Sequence, residues 1–231
     1  MKNIPAFFMM MVLAGPAWAA DAPPDVQAHI RTVENGLLKG VTIEGDPHPG
    51  HSLAERMAAL HVPGVSIAVM HNGRLEWAKA YGEARAGVPV NTETLFQAGS
   101  ISKPLAAMAA LRLVEQGKLA LDADINTSLK SWKLPASDTA KGKAVTLREL
   151  LTHTGGLTIH GFPGYAADEP VPSVVQVLDG APPANTKPVR NEAEPGLKWN
   201  YSGGGYTIMQ LAMTDVTGRA FPALLHDTVL A

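Results

Sequence analysis

The stretch FQAGSISKPLAAMAALRLVEQGKL, Phe96 to Leu119, carries two signals at once. Its middle is apolar on nearly every helical face: Leu105, Ala106, Met108, Ala109, Leu111, Leu113 and Val114. Such a segment predicts a helix over Ser100–Gln116 that belongs inside a protein, with Gly117 as its stop. Its entrance is polar, a Ser-x-x-Lys unit from Ser100 to Lys103 that follows Gly99. Residues three apart on a helix share a face, so the Ser100 hydroxyl and the Lys103 amine can meet. A serine hydroxyl is a weak nucleophile until a neighbouring base takes its proton. The positive end of a helix favours a developing anion there. The spacing alone is not specific, since nine serines and eleven lysines give about 0.4 such pairs by chance. Pro104 fits a first helical turn but disfavours helical geometry at Lys103, which puts Ser100 in a turn before the helix. On this segment two readings stand, a nucleophile with its base or the polar cap of a core helix.

Working outward, two β-rich runs precede the helix, Val65–Met70 and Leu75–Ala80, joined by His71-Asn72-Gly73-Arg74. An Asn-Gly pair between such runs predicts a hairpin. Helices are expected over Asp25–Lys39 and Leu53–Leu60. After the central helix, Thr146-Leu147-Arg148-Glu149 is a capping box that opens a short helix ending near His153. The stretch from Phe162 to Gly196 is rich in Pro and Gly and reads as irregular, with a short helix at Ser173–Leu178. Further helices are expected over Tyr206–Thr217 and from Phe221 to Leu230.

The chain has 231 residues, a net charge of −2 and no cysteine. The absence of cysteine excludes disulfides, thiolate catalysis and Cys-ligated zinc. No basic stripe is present, so nucleic acid is not an expected partner. Residues 1–19 read as an export signal: Lys2, the apolar run Ala6–Ala14, then Ala17-Trp18-Ala19 as the cleavage site. The run is shorter than the roughly 20 residues that span a bilayer, and Pro16 interrupts it. The mature chain is therefore expected to be exported, periplasmic or secreted, without a stable membrane anchor. Residues 20–54 read as an N-terminal linker with a helix, and 55–231 as the main domain.

A second candidate region runs from Glu194-Pro195-Gly196 to Tyr201-Ser202-Gly203-Gly204-Gly205-Tyr206. Consecutive glycines open a backbone site at a helix entrance. A phenol such as Tyr201 beside an ammonium group has its ionised form favoured, and can accept a proton. The competing reading is an aromatic that anchors a Gly-rich turn.

Taken in order, Ser100-Ile101-Ser102-Lys103, then Leu151-Thr152-His153-Thr154-Gly155-Gly156-Leu157, then Glu194-Pro195-Gly196 with Tyr201-Ser202-Gly203 and Tyr206, resemble the penicillin-recognising serine hydrolases. The branch most similar is the class C β-lactamase-like group, with its D-alanyl-D-alanine peptidase and esterase relatives. Val62-Pro63-Gly64-Val65 and the hairpin look like the start of that domain, and the resemblance covers about residues 55–231. It implies an α+β fold, an antiparallel sheet flanked by helices plus a mostly helical domain. It implies that Ser100 carries an acyl group taken from an ester or amide: a β-lactam, a D-Ala peptide or a carboxylic ester. Lys103 would be proton acceptor or electrostatic partner, and Tyr201 general base and then acid. The backbone N–H of Ser100 would be one oxyanion donor. The substrate is expected to be a small molecule or peptide, with no cofactor and no metal.

The chain departs from that pattern twice. Gly203 stands where the family usually has an asparagine, leaving only backbone to face a substrate, which leaves room for esters. The family also carries a Lys/His-Thr-Gly strand after the tyrosine, and no such triplet follows Tyr201 here. The resemblance thus implies that C-terminal strands of the sheet and a second oxyanion donor are missing. A catalytically silent penicillin-binding or sensor protein, or an inactive piece of a longer enzyme, is the competing expectation. His153-Thr154-Gly155 matches the triplet's letters but precedes the tyrosine, and reads as structural. His48, His51 and His61 read as surface loop residues, because Pro49 and Gly50 break any helical alignment of the first two. Asp122 and Asp124 read as loop or capping residues.

Overall fold

The structure, a computed structural model, describes residues 24–38, 40–41, 44–45 and 50–231. The expected export signal and His48 lie outside the described residues. The chain divides into two compact units, the first ending at Phe96 and the second beginning at Gln97. No described helix is long and apolar enough to cross a membrane.

The first unit holds helices α1 (Pro24–Asn35) and α2 (Leu53–Ala59) and strands β1 (Gly64–His71), β2 (Arg74–Arg85) and β3 (Val88–Pro89). The strands form an antiparallel sheet in the order β1-β2-β3. The expected hairpin forms around Asn72 and Gly73, whose φ angles of 49° and 73° suit the tight turn that matches strand twist. Both strands run longer than expected, and β2 carries on to fold back into β3. Helix α1 packs Val26 and Ile30, four residues apart, on Trp77 of β2, with Val33, Ile67 and Val69 around them. It ends at Asn35 rather than at Lys39. The chain leaves the helix at Gly36, and Leu37 pairs with His51 through two backbone hydrogen bonds of 3.0 and 2.8 Å.

The second unit is helical. A 3₁₀ turn, Gly99–Ile101, leads into α3 (Ser102–Glu115). Pro104 falls in the first turn of α3, where the missing N–H has no intrahelical partner to lose. Ser100 sits in the 3₁₀ turn before the α-helix, whereas Lys103 is helical despite the proline that follows it, against the expectation. The helix closes with paired bonds from Gly117 N–H to Val114 O and from Lys118 N–H to Leu113 O, the double closure favoured by a glycine at this place. Burial of α3 is one-sided: Ala106, Ala109, Ala110 and Leu113 are buried, whereas Met108 and Leu111 on the other side are exposed. The all-round apolar pattern overstated it, because only the i, i+3, i+4, i+7 stripe meets the core.

Helices α4 (Leu147–Leu151) and α5 (Val174–Asp179) each start with a capping box, Thr146 with Glu149 and Ser173 with Gln176. Helix α6 (Gly203–Thr217) is the centre of the core. Its Ile208, Met209, Ala212 and Met213 are fully buried in one cluster with α3, Leu147 and Leu150 of α4 and Leu178 of α5. Each fully buried Leu or Ile contributes about 1.5–3 kcal/mol through area removed from water. Helix α7 (Phe221–Leu225) buries Leu224 in the same cluster and runs on into a π turn, His226–Leu230. Asp124 caps the Asn126 N–H and Asp122 pairs with the Arg148 guanidinium at 2.7 and 2.8 Å.

Helix α6 opens at Gly203, ahead of the expected Tyr206. Ser202 supplies the cap, its hydroxyl accepting the Gly205 N–H at 2.9 Å and donating to Thr158 O at 2.9 Å. A Cβ on Gly204 would lie 2.8 Å from Thr158 O and 2.9 Å from the Val189 methyls. Gly204 is there for close approach, and this sets the helix start against the loops that carry the site.

Candidate active site

The site is assembled by two loops laid side by side. Residues 153–157 and 191–200 are joined by backbone hydrogen bonds: Glu192 N–H to Gly156 O at 2.8 Å, Gly196 N–H to Thr154 O at 2.9 Å, and Asn200 N–H to His153 O at 2.8 Å. Leu157 and Asn191 form an isolated bridge, and the buried Asn191 amide donates to Gly155 O at 3.1 Å. Tyr201 follows directly. Its carbonyl accepts a hydrogen bond from His160 Nδ1, and Ser202 after it is the α6 cap. Both sides of Tyr201 are therefore tied to the scaffold.

So held, the Tyr201 hydroxyl lies 2.8 Å from Ser100 Oγ. Lys103 Nζ donates to the same Oγ at 3.0 Å. The three residues named from the sequence thus meet at one atom, although Tyr201 and Ser100 are 101 residues apart. Ser100 is exposed and Lys103 and Tyr201 are half-buried, so the hydroxyl is reachable. The ammonium of Lys103 also sits 4.9 Å from the Tyr201 ring centroid and 5.5 Å from that of Tyr206.

The two phenols are driven apart electrically. The Lys103 ammonium beside Tyr201, and then the hydrogen bond to Ser100, hold its phenol below the ordinary tyrosine range. Burial, and the neighbouring Tyr201, push the Tyr206 phenol up. Of the two phenols, Tyr201 is the one whose ionised form is favoured.

His153, which the sequence presents as structural, also touches the site. Its ring stacks at 4.4 Å and 35° on Tyr201 and at 5.2 Å and 32° on Tyr206. Its Nδ1 accepts the Ser202 N–H at 3.2 Å, so that nitrogen carries no proton. Burial, and then the charge of Lys103, lower its pKa below the ordinary histidine value. His160 has the opposite tautomer, since a carbonyl can only accept and Nδ1 must therefore carry its proton. Neither role is visible in sequence, because each depends on a loop partner some forty to fifty residues away.

Gly203 is buried in the first turn of α6, and its N–H is given to His160 O at 3.3 Å. Among the described residues no group of three His, Asp or Glu side chains converges as metal ligands.

A family model described as Beta-lactamase matches residues 51–231. The esterase EstB of Burkholderia gladioli is 37% identical over 116 residues, which are 46% of this chain and 29% of that protein. Penicillin-binding protein 4 of Amycolatopsis lactamdurans is 29% identical over 178 residues, 75% of this chain and 44% of that protein. Among solved structures, the octameric penicillin-binding protein homologue from Pyrococcus abyssi superposes with a TM-score of 0.62 at 28% identity, over 77% of this chain and 40% of that one. The chain spans less than half the length of each of these relatives.

Proposed function

The chain belongs to the beta-lactamase family, and on that footing we propose that it is a serine hydrolase opening an ester or amide through an acyl-enzyme on Ser100. The observation that carries this reading is one oxygen, Ser100 Oγ, within hydrogen-bond distance of both Lys103 Nζ and the Tyr201 hydroxyl. Oγ attacks the substrate carbonyl carbon and its proton goes to the Tyr201 oxygen as the new bond forms. Lys103 stabilises the ionised phenol that receives it. The carbonyl oxygen, now negative, is met by the Ser100 N–H at the positive end of the helix. The proton then passes from Tyr201 to the leaving oxygen or nitrogen as that bond breaks. Water repeats the sequence on the acyl group, giving its proton through Tyr201 to Ser100 Oγ.

Gly203 favours esters within that class. It offers no side-chain amide to hold a substrate amide, and its N–H is already given to His160 O. The pattern at residues 1–19 supports export to the periplasm or the medium, with the hydrolase domain over 55–231.

The test is covalent. A fluorophosphonate should modify the full-length protein on the peptide containing Ser100, read by mass spectrometry after digestion. p-Nitrophenyl butyrate should be turned over many times per protein. A burst of acylation without turnover would instead mean a binding or sensor protein.

His153 gives a second expectation. His153→Phe keeps a ring against Tyr201 but removes the Nδ1 acceptor. Its kcat/KM should fall by about 10²-fold, mostly in kcat, because a small displacement of a reacting group is costly. The circular dichroism spectrum should be unchanged. Since the imidazole pKa is lowered, Nδ1 stays bare through the neutral range and is protonated only on acidification below the ordinary value of about 6.5.

A further inference from the structure

Several lysines of the chain pair with acids, Lys79 with Glu34, and Lys141 and Lys143 with Glu194. Lys103 is held differently. Among the described residues its ammonium meets one hydroxyl, Ser100 Oγ at 3.0 Å, and two aromatic rings, with the Tyr201 centroid at 4.9 Å and the Tyr206 centroid at 5.5 Å. Both distances lie inside the roughly 6 Å over which a ring face attracts a cation. Lys103 and Tyr206 are half-buried, and the attraction grows as water is removed. Gly203, with the Phe162 ring edge against it, lines the same cavity as Lys103 and Tyr206 and has no side chain to offer the amine. The Tyr206 ring is itself fixed. Its backbone is in α6, its hydroxyl reaches Leu151 O at the end of α4 at 3.4 Å, and its ring stacks on His153 at 5.2 Å. Burial pushes its phenol up, so the ring stays neutral and takes no part in proton transfer.

We infer that Tyr206 is a positioning residue for the reaction: its ring holds the Lys103 ammonium at Ser100 Oγ through a cation–π contact, in the place a carboxylate would otherwise take. The inference rests on the acyl-enzyme reading above and adds what keeps its lysine in place. A lysine side chain is long and flexible, so an amine without a partner spends much of its time away from Oγ. A carboxylate would hold it, but would also cancel its charge and with it the effect on the Tyr201 phenol. A neutral ring attracts the cation and leaves its charge intact. Tyr201 offers the amine a ring as well, but its oxygen takes and returns the proton, so its charge changes during the reaction. Tyr206 presents the same face throughout.

The experiment weakens the ring face without changing its shape. Tyr206 is replaced in the full-length protein by phenylalanine, and then by phenylalanines that carry one, two and three ring fluorines. Fluorine draws electron density from the face and is small, so each variant keeps the packing of Tyr206→Phe and the series does not depend on the fold surviving a truncation. The rate of fluorophosphonate labelling of Ser100 is read for each, with kcat and KM for p-nitrophenyl butyrate. Tyr206→Phe should keep most of the wild-type rate. Labelling should then slow stepwise with fluorine number, by about 3- to 30-fold across the series, with the loss in kcat and not in KM. In a Lys103→Ala background the same series should be flat, because the cation that senses the ring is gone. Labelling rates within about twofold across the series, or an equal slope with and without Lys103, would overturn the role of Tyr206 and leave the acyl-enzyme standing. Failure to label wild-type Ser100 would overturn the acyl-enzyme reading and the role of Tyr206 with it.

Discussion

Ser100→Ala is expected to remove covalent labelling altogether and to reduce ester turnover by on the order of 10⁴–10⁶-fold. The substitution deletes one oxygen from an exposed side chain, so thermal stability should change little. Lys103 and Tyr201 stay where they are, since their supports lie elsewhere: α3 for the first, the joined loops for the second. What is lost is the atom on which both converge. Ser102 makes the result informative. It is the nearest other hydroxyl in sequence, so a different nucleophile at this place would show as labelling that persists. Persistent labelling of Ser100→Ala would sink the assignment.

The second large effect concerns the proton. Tyr201→Phe removes only the phenolic oxygen and leaves the ring on His153, so the fold should survive and acylation should slow by about 10²–10⁴-fold. The pH profile carries more information than the rate. Because Lys103 and Ser100 lower the Tyr201 pKa, the ionised phenol is populated at lower pH than for an ordinary tyrosine. The rate of acylation should therefore rise with pH through a limb below the usual tyrosine value of about 10. Lys103→Ala removes the cation that favours the ionised form, so the limb of its residual activity should move up towards that value. A profile that is the same in wild type and Lys103→Ala would show that Tyr201 is not the titrating base.

Much of this arrangement is written locally. The β-lactamase/transpeptidase-like fold was legible from three motifs in order, and the hairpin from one Asn-Gly pair. The caps of α4 and the stop of α3 are short-range chemistry and were read as such. What was not legible is long-range. The start of α6 at Gly203 runs against glycine's poor helix propensity, and is explained by the approach of Thr158 O and Val189. The stacking of His153 on two tyrosines needs the pairing of loops far apart in the chain. The exposed Met108 and Leu111 of α3 could not be told from its buried residues by composition. Phe162 lies in a stretch that reads only as Pro- and Gly-rich loop, so its place over Gly203 had no local signal.

The ladder between residues 153–157 and 191–200 also works as a ruler. Tyr201 is placed by counting along it from the last bond, Asn200 to His153. One residue added or removed between Ala193 and Asn200 would shift the phenol by up to about 3.3 Å along an extended chain, more than its whole 2.8 Å separation from Ser100 Oγ. The outer loop at 163–172, exposed over most of its length, is under no such constraint and is where insertions are tolerated. Length variation among related chains should therefore collect in that outer loop and be absent from the ten residues before the tyrosine, and alignments are best anchored on the ladder.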